Sequence, residues 1–117
     1  MATPDPGEQQ RQFVRVPARL MTFVRFVETG KVRRAITVDI SAGGARLVTD
    51  NLIEPGTPLE LEIKLPDREA LVVCGVEVVR SALTAEASIE TAVKITRIDP
   101  KDHALLTLYA RLNAPPI

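Results

Sequence analysis

A mainly β fold, about six short strands closing into a small barrel with one C-terminal α-helix, is predicted by three observations on this sequence of 117 residues. Short apolar-alternating segments recur along the chain, separated by Gly, Pro, Asp and Asn, the pattern of half-buried strands joined by turns. The period changes from two to 3.6 only after Asp99, where apolar residues begin to fall on one face of a helix. Closing the strands into a small barrel removes the exposed edges that a free sheet of this size would offer to other chains.

Each element follows from its local text. Residues 1–9 carry Pro4, Pro6 and Gly7 among polar residues without periodicity and read as a flexible arm. A single domain is expected over 10–113, with 114–117 as a tail. The first strand is expected over 19–28, rich in β-branched and aromatic residues, and turns at Thr29-Gly30-Lys31. The second runs from Val32 to Ile40, with Val32, Ile36, Val38 and Ile40 on one face. On this phase Ile36, Val38 and Ile40 point inward, and Arg33, Ala35, Thr37, Asp39 and Ser41 point outward. Gly43-Gly44 break the pattern, with positive φ available there, and Ala45 to Val48 form a shorter third strand. Asp50-Asn51 and Glu54-Pro55-Gly56 mark a loop. The alternation is clearest over Leu59 to Leu65, apolar at odd and charged at even positions, a strand with one wet face. After the turn at Pro66-Asp67-Arg68 come Val-rich strands over 70–80 and 89–98. Asp99 is placed to cap a helix whose first residue is Pro100, and Leu105, Leu108, Tyr109 and Leu112 share one helical face.

Composition bounds the function. Fifteen basic and fifteen acidic residues give zero formal net charge, so bulk attraction to DNA or anionic lipid is not expected and any anion site must be local. No apolar run is long enough to span a bilayer, and the N-terminal text lacks the order of a signal peptide. The single Cys74 reads as a small buried hydrophobe, compatible with a reducing compartment, and the cytoplasm is the expected location. His103 falls in the first turn of the helix as an exposed residue. No His/Cys cluster has metal-ligand spacing and no nucleophile has a base, so neither an enzyme nor a resident cofactor is expected.

Two short motifs carry the chemistry. Arg11-Gln-Phe-Val-Arg15 is an RxxxR, and Asp39-Ile-Ser41-Ala-Gly43-Gly44 is a DxSxxG. Alone, the first is an ordinary solvated arm and the second an ordinary Asx or Ser turn. Together they offer two guanidinium forks, which match phosphate oxygens and the O6/N7 edge of guanine, and a carboxylate that accepts from guanine N–H groups. Asp39 and Ser41, two apart on a strand, form a ledge, and an arm bearing Arg11 and Arg15 could fold over it. Arg15 and Arg19 satisfy the same spacing. The earlier pair is preferred, because Arg19 enters the first strand. Lys31, Arg33 and Arg34 make a small basic knot, and Arg46 follows the ledge. These read first as solvated strand ends, and a supporting role toward a phosphate is the alternative.

Order, spacing and flanking text resemble the PilZ family of bacterial cyclic di-GMP receptors over roughly residues 9–113. The matching text includes Arg15-Val-Pro-Ala-Arg-Leu, Gly44-Ala-Arg-Leu, a Pro-Gly loop, a Leu-x-Leu-x-Ile strand and the Val-rich strand ending at Arg80. The resemblance implies a six-stranded antiparallel barrel with a C-terminal helix and cyclic di-GMP as ligand. By motif match, Arg11 and Arg15 would take phosphate and guanine, Asp39 and Ser41 a guanine edge, and Gly44 would permit close approach. Gln10, Gly43 and Arg46 are the candidates for a supporting role. Gln10 stands where members often carry another arginine, and Ala92-Val-Lys-Ile95 stands where they show Gly-Val-x-Phe. The leading expectation is a receptor or adaptor that passes the signal to a downstream protein by ligand-induced ordering of its arginine arm. No DNA or RNA partner and no membrane insertion are expected. A PilZ-like interaction module that does not use nucleotide, for example in motility machinery, is the alternative. A single-stranded nucleic-acid binder would need exposed aromatics, which this chain barely has.

Overall fold

The computed structural model describes residues 14–66 and 71–114. Seven strands follow in order: β1 (Val16–Pro17), β2 (Met21–Phe26), β3 (Val32–Ser41), β4 (Gly44–Thr49), β5 (Pro58–Lys64), β6 (Leu71–Leu83) and β7 (Ile89–Ile98). Among the described residues one helix, α1 (Pro100–Leu112), follows β7. All pairings are antiparallel, and β3–β2–β5–β6–β7–β4 close into a six-stranded ring through the β3–β4 pairing. The two-residue β1 lies against β3 outside that ring, a strand that its Pro-containing text concealed. The expected 1–9 arm lies outside the described residues.

Alternation builds the core. Leu59, Leu61 and Ile63 of β5 are no more than 2% exposed and meet Val72, Cys74 and Val76 of β6, their register partners or near neighbours. Between β2 and β3, Gly30 adopts φ 75° and its N–H donates to the Phe26 carbonyl at 2.7 Å, a turn that a side chain would strain.

The phase of β3 differs from the expected one. Ala35 and Thr37 are buried, at 5% and 1% exposure, while Ile36 stands outward at 48%. The pairing with β4 slips between Thr37 and Asp39, so Val38 is an extra residue and the strand bulges there. Beyond the bulge Ile40 faces inward as expected, and Asp39 lies on the outer face with Arg46. The inward threonine has a backbone reason. The Thr37 hydroxyl accepts from the Leu20 N–H at 2.8 Å and donates to the Ala18 carbonyl, and the Thr37 N–H donates to the Leu20 carbonyl at 3.0 Å. Thr37 thereby pairs the irregular residues 18–20 that join β1 to β2, where a regular ladder is missing.

The helix also turns differently from the expected face. Leu106 and Ala110 are its buried residues, Leu105 and Tyr109 are partly buried, and Leu112 is 72% exposed. Leu106 reaches Ile40, Cys74 and Ile95 and closes the barrel end beside the β3–β4 turn. Asp99 occupies the N-cap position with an extended backbone but makes no side-chain cap bond. The first turn is tied instead through Asp102, whose Oδ2 accepts from the Val73 N–H at 3.4 Å.

Replacing Thr37 by Val keeps shape but orphans the Leu20 N–H and the Ala18 carbonyl. Thr37→Val should cost about 1–3 kcal/mol per orphaned group, read as a lower urea midpoint at constant m. Burial raises the Cys74 thiol from 9.0 to about 12. A group raised in the folded state keeps its contribution below its unfolded value and loses it as pH climbs through the folded one. Stability should therefore fall between pH 9 and 12, and a thiol reagent at pH 8 should modify Cys74 only once urea unfolds the chain.

Candidate functional site

The outer face around the β3–β4 hairpin gathers most of the described candidate residues. A two-residue loop, Ala42-Gly43, joins Ser41 to its partner Gly44, and counting back along the hairpin pairs Ile40 with Ala45 and Asp39 with Arg46. On the other edge of β3, Val16 pairs with Ile40 and Pro17 with Asp39. Arg15, one residue before Val16, is therefore delivered to the Ser41 end of β3, exposed and without an ion pair among the described residues. Arg19 is exposed two residues before β2. Arg11 and Gln10 lie outside the described residues.

Asp39 is the best-organised group. Only 12% of its side chain is exposed, and Arg46 grips its Oδ2 through Nε at 2.7 Å and Nη2 at 2.6 Å. The same guanidinium reaches Glu90 Oε1 through Nη1 at 3.3 Å, which ties β3, β4 and β7 together on the outside. The Asp39 hydrogen bond, opposed by burial, raises the pKa of Arg46, so the guanidinium stays charged. Both Arg46 contacts end on one oxygen, and no other described residue donates to the Asp39 carboxylate. Oδ1 accepts from no described residue and so has acceptor capacity to spare within the described structure.

Ser41 has a role inside the turn. Its hydroxyl accepts from the N–H groups of Gly43 at 3.1 Å and Gly44 at 3.2 Å, with the Gly44 carbonyl at 3.3 Å as acceptor, and the residue is only 5% exposed. The Gly43 carbonyl accepts from the Ile95 N–H at 2.9 Å, which pins the turn to β7. Gly44 does not use the positive φ open to it. A Cβ there would collide with the Val93 carbonyl oxygen and lie 3.3 Å from Lys94 Cα, so the missing side chain makes room for β7.

The site thus offers an acceptor oxygen fixed by a guanidinium, a hydroxyl-bound turn and an exposed Arg15 on one surface. Lys31, Arg33 and Arg34 stand at the opposite end of β3 and take no part in it. The pairing of Arg46 with Asp39 was open to hairpin counting from Ser41-Ala42-Gly43-Gly44. Glu90, more than forty residues further on, carries no sequence signal that links it to the site.

The family model described as PilZ domain matches residues 9–111. The structure of the motility inhibitor MotI/DgrA from Bacillus subtilis superposes with a TM-score of 0.77 at 26% identity, covering 93% of this chain and 55% of that one. The chain thus spans about half the length of that protein. The PilZ domain of YcgR from Escherichia coli, solved with c-di-GMP, superposes with a TM-score of 0.68 at 12% identity, covering 90% of this chain and 92% of that one. PlzA from Borreliella burgdorferi, also solved with c-di-GMP, gives 0.64 at 15% identity, over 88% of this chain and 42% of that one. No curated protein matches the chain.

Because the obstacle at Gly44 is backbone, it cannot swing away. Gly44→Ala should lower stability by about 1–3 kcal/mol, seen as a drop in melting temperature before any ligand is added.

Proposed function

Since the chain belongs to the PilZ domain family, we propose that it is a receptor for cyclic di-GMP that hands the signal to a protein partner. The observation that supports this reading is the β1–β3 pairing, Val16 with Ile40 and Pro17 with Asp39, which brings Arg15 to the Ser41 end of β3. A cyclic dinucleotide presents two phosphates and two guanines. Arg15 would fork onto a phosphate or onto guanine O6/N7, and Asp39 Oδ1 would accept from a guanine N–H. Arg11 would add the second guanidinium from the preceding segment, and ordering of that segment over the ligand would create the surface a partner reads. Gly43, Gly44 and Ser41 would supply the turn on which the base rests, with Arg46 holding Asp39 in place and Gln10 near the phosphates. YcgR and PlzA, both solved with c-di-GMP, support the ligand, and MotI, an inhibitor of motility, supports a partner in motility.

The second reading, a module that does not use nucleotide, draws on a specific observation. Asp39 is ion-paired and Ser41 holds the hairpin, so both motif residues have folding roles that would retain them without a ligand. A stacking platform for single-stranded nucleic acid has less support, because Phe26 and Tyr109 pack against the core.

Arg15 is the clean probe, being exposed and outside every described ion pair. Titration calorimetry with cyclic di-GMP should show binding by the intact protein, weakened at least about tenfold in Arg15→Ala at unchanged melting temperature. Equal affinity in the two proteins would overturn the assignment of Arg15, and an intact protein that evolves no heat would favour the second reading.

A further inference from the structure

The two ends of the barrel are finished differently. Leu106 plugs the end beside Ser41, whereas the other end, framed by the turn at 27–31 and the loop at 50–57, contains a cavity of about 390 Å³. That volume falls in the range of small-molecule sites. Its floor is apolar: Val24, Ala35 and Ile53 are 2%, 5% and 9% exposed, and Phe26 packs on the same core.

The wall contributed by β3 reverses the usual pattern. Arg33 is the register partner of buried Val24 and precedes buried Ala35 by two, so it shares their inward phase, and Lys31 precedes it by two more. The apolar residue between them, Val32, is turned out to solvent at 56% exposure. Lys31, Arg33 and the adjacent Arg34 all line the cavity, and none has an ion pair among the described residues. Cations at the rim of an apolar floor complement a molecule that is apolar at one end and anionic at the other. Asp50 and Glu54 line the facing wall, also without an ion pair among the described residues. They repel an anionic head, which directs it to the β3 side and limits affinity.

We propose that this open end of the barrel binds an amphipathic anion, an alkyl or acyl chain bearing a carboxylate or phosphate. The chain lies on Val24, Phe26, Ala35 and Ile53, and the head meets Lys31 and Arg33. This site is separate from the nucleotide ledge: Arg33 and Asp39 are six residues apart on one strand, roughly 20 Å.

The test uses the full chain and two probes, dodecanoate and dodecyl phosphate, each below its micellar concentration, titrated by calorimetry with a melting control. Both should bind. Arg33→Ala should weaken them about three- to tenfold, and the double variant Asp50→Asn/Glu54→Gln should tighten them by a similar factor. These positions are exposed, so the variants should melt as the parent does. Co-sedimentation with phosphatidylglycerol vesicles, competed by dodecanoate, would identify a membrane lipid as the source of the head group. Binding to the monomeric probes alone would identify a free amphiphile. No binding to probes or vesicles, equal binding of neutral dodecyl maltoside, indifference to Arg33→Ala, or weaker binding in the double carboxylate variant would each overturn the proposal.

Discussion

Strand β3 must serve as barrel wall and as outer ledge, and the bulge at Val38 lets it do both. Without the extra residue, a strand that buries Ala35 and Thr37 would keep burying odd positions and expose Ile40. With it, Ile40 joins the core while Asp39 stays on the outside opposite Arg46. The Thr37 hydroxyl completes the arrangement by pairing the irregular backbone of residues 18 and 20. That pairing lays β1 along β3, and β1 is what brings Arg15 to the ledge. One kink and one hydroxyl thus position the N-terminal cation relative to the carboxylate.

The ledge residues are built into the fold, which changes how their motif should be understood. Asp39 is clamped through Arg46 to Glu90 across three strands, and Ser41 bonds the two N–H groups of its own turn. Such pre-organisation reduces the ordering a ligand must impose. It also means that loss of Ser41 or Gly44 perturbs the hairpin as well as any ligand contact. Arg15 differs from them in being exposed and outside the described ion pairs.

The two candidate sites lie at opposite ends of the barrel. At one end the helix closes the core through Leu106, and the hairpin beside it carries the candidate nucleotide ledge. At the other, Lys31, Arg33 and Arg34 line the β3 side of an apolar opening and Asp50 and Glu54 the facing side.

Local pattern alone determined the strand count of the ring, the terminal helix, the turn at Gly30 and the two motifs, because periodicity and turn chemistry are properties of neighbouring residues. The family resemblance was legible for the same reason, being carried by short motifs in a given order. Tertiary structure alone decided the phase of β3, since an inward threonine makes sense only beside the carbonyl and N–H it pairs with seventeen to nineteen residues away. It likewise decided that Leu106 and Ala110 face the core, because the helix rotates to fill the barrel mouth and does not follow its own most apolar stripe. The reason for Gly44 was hidden in the same way: the atom that forbids a side chain there belongs to Val93, on a strand that hydrogen bonding brings alongside.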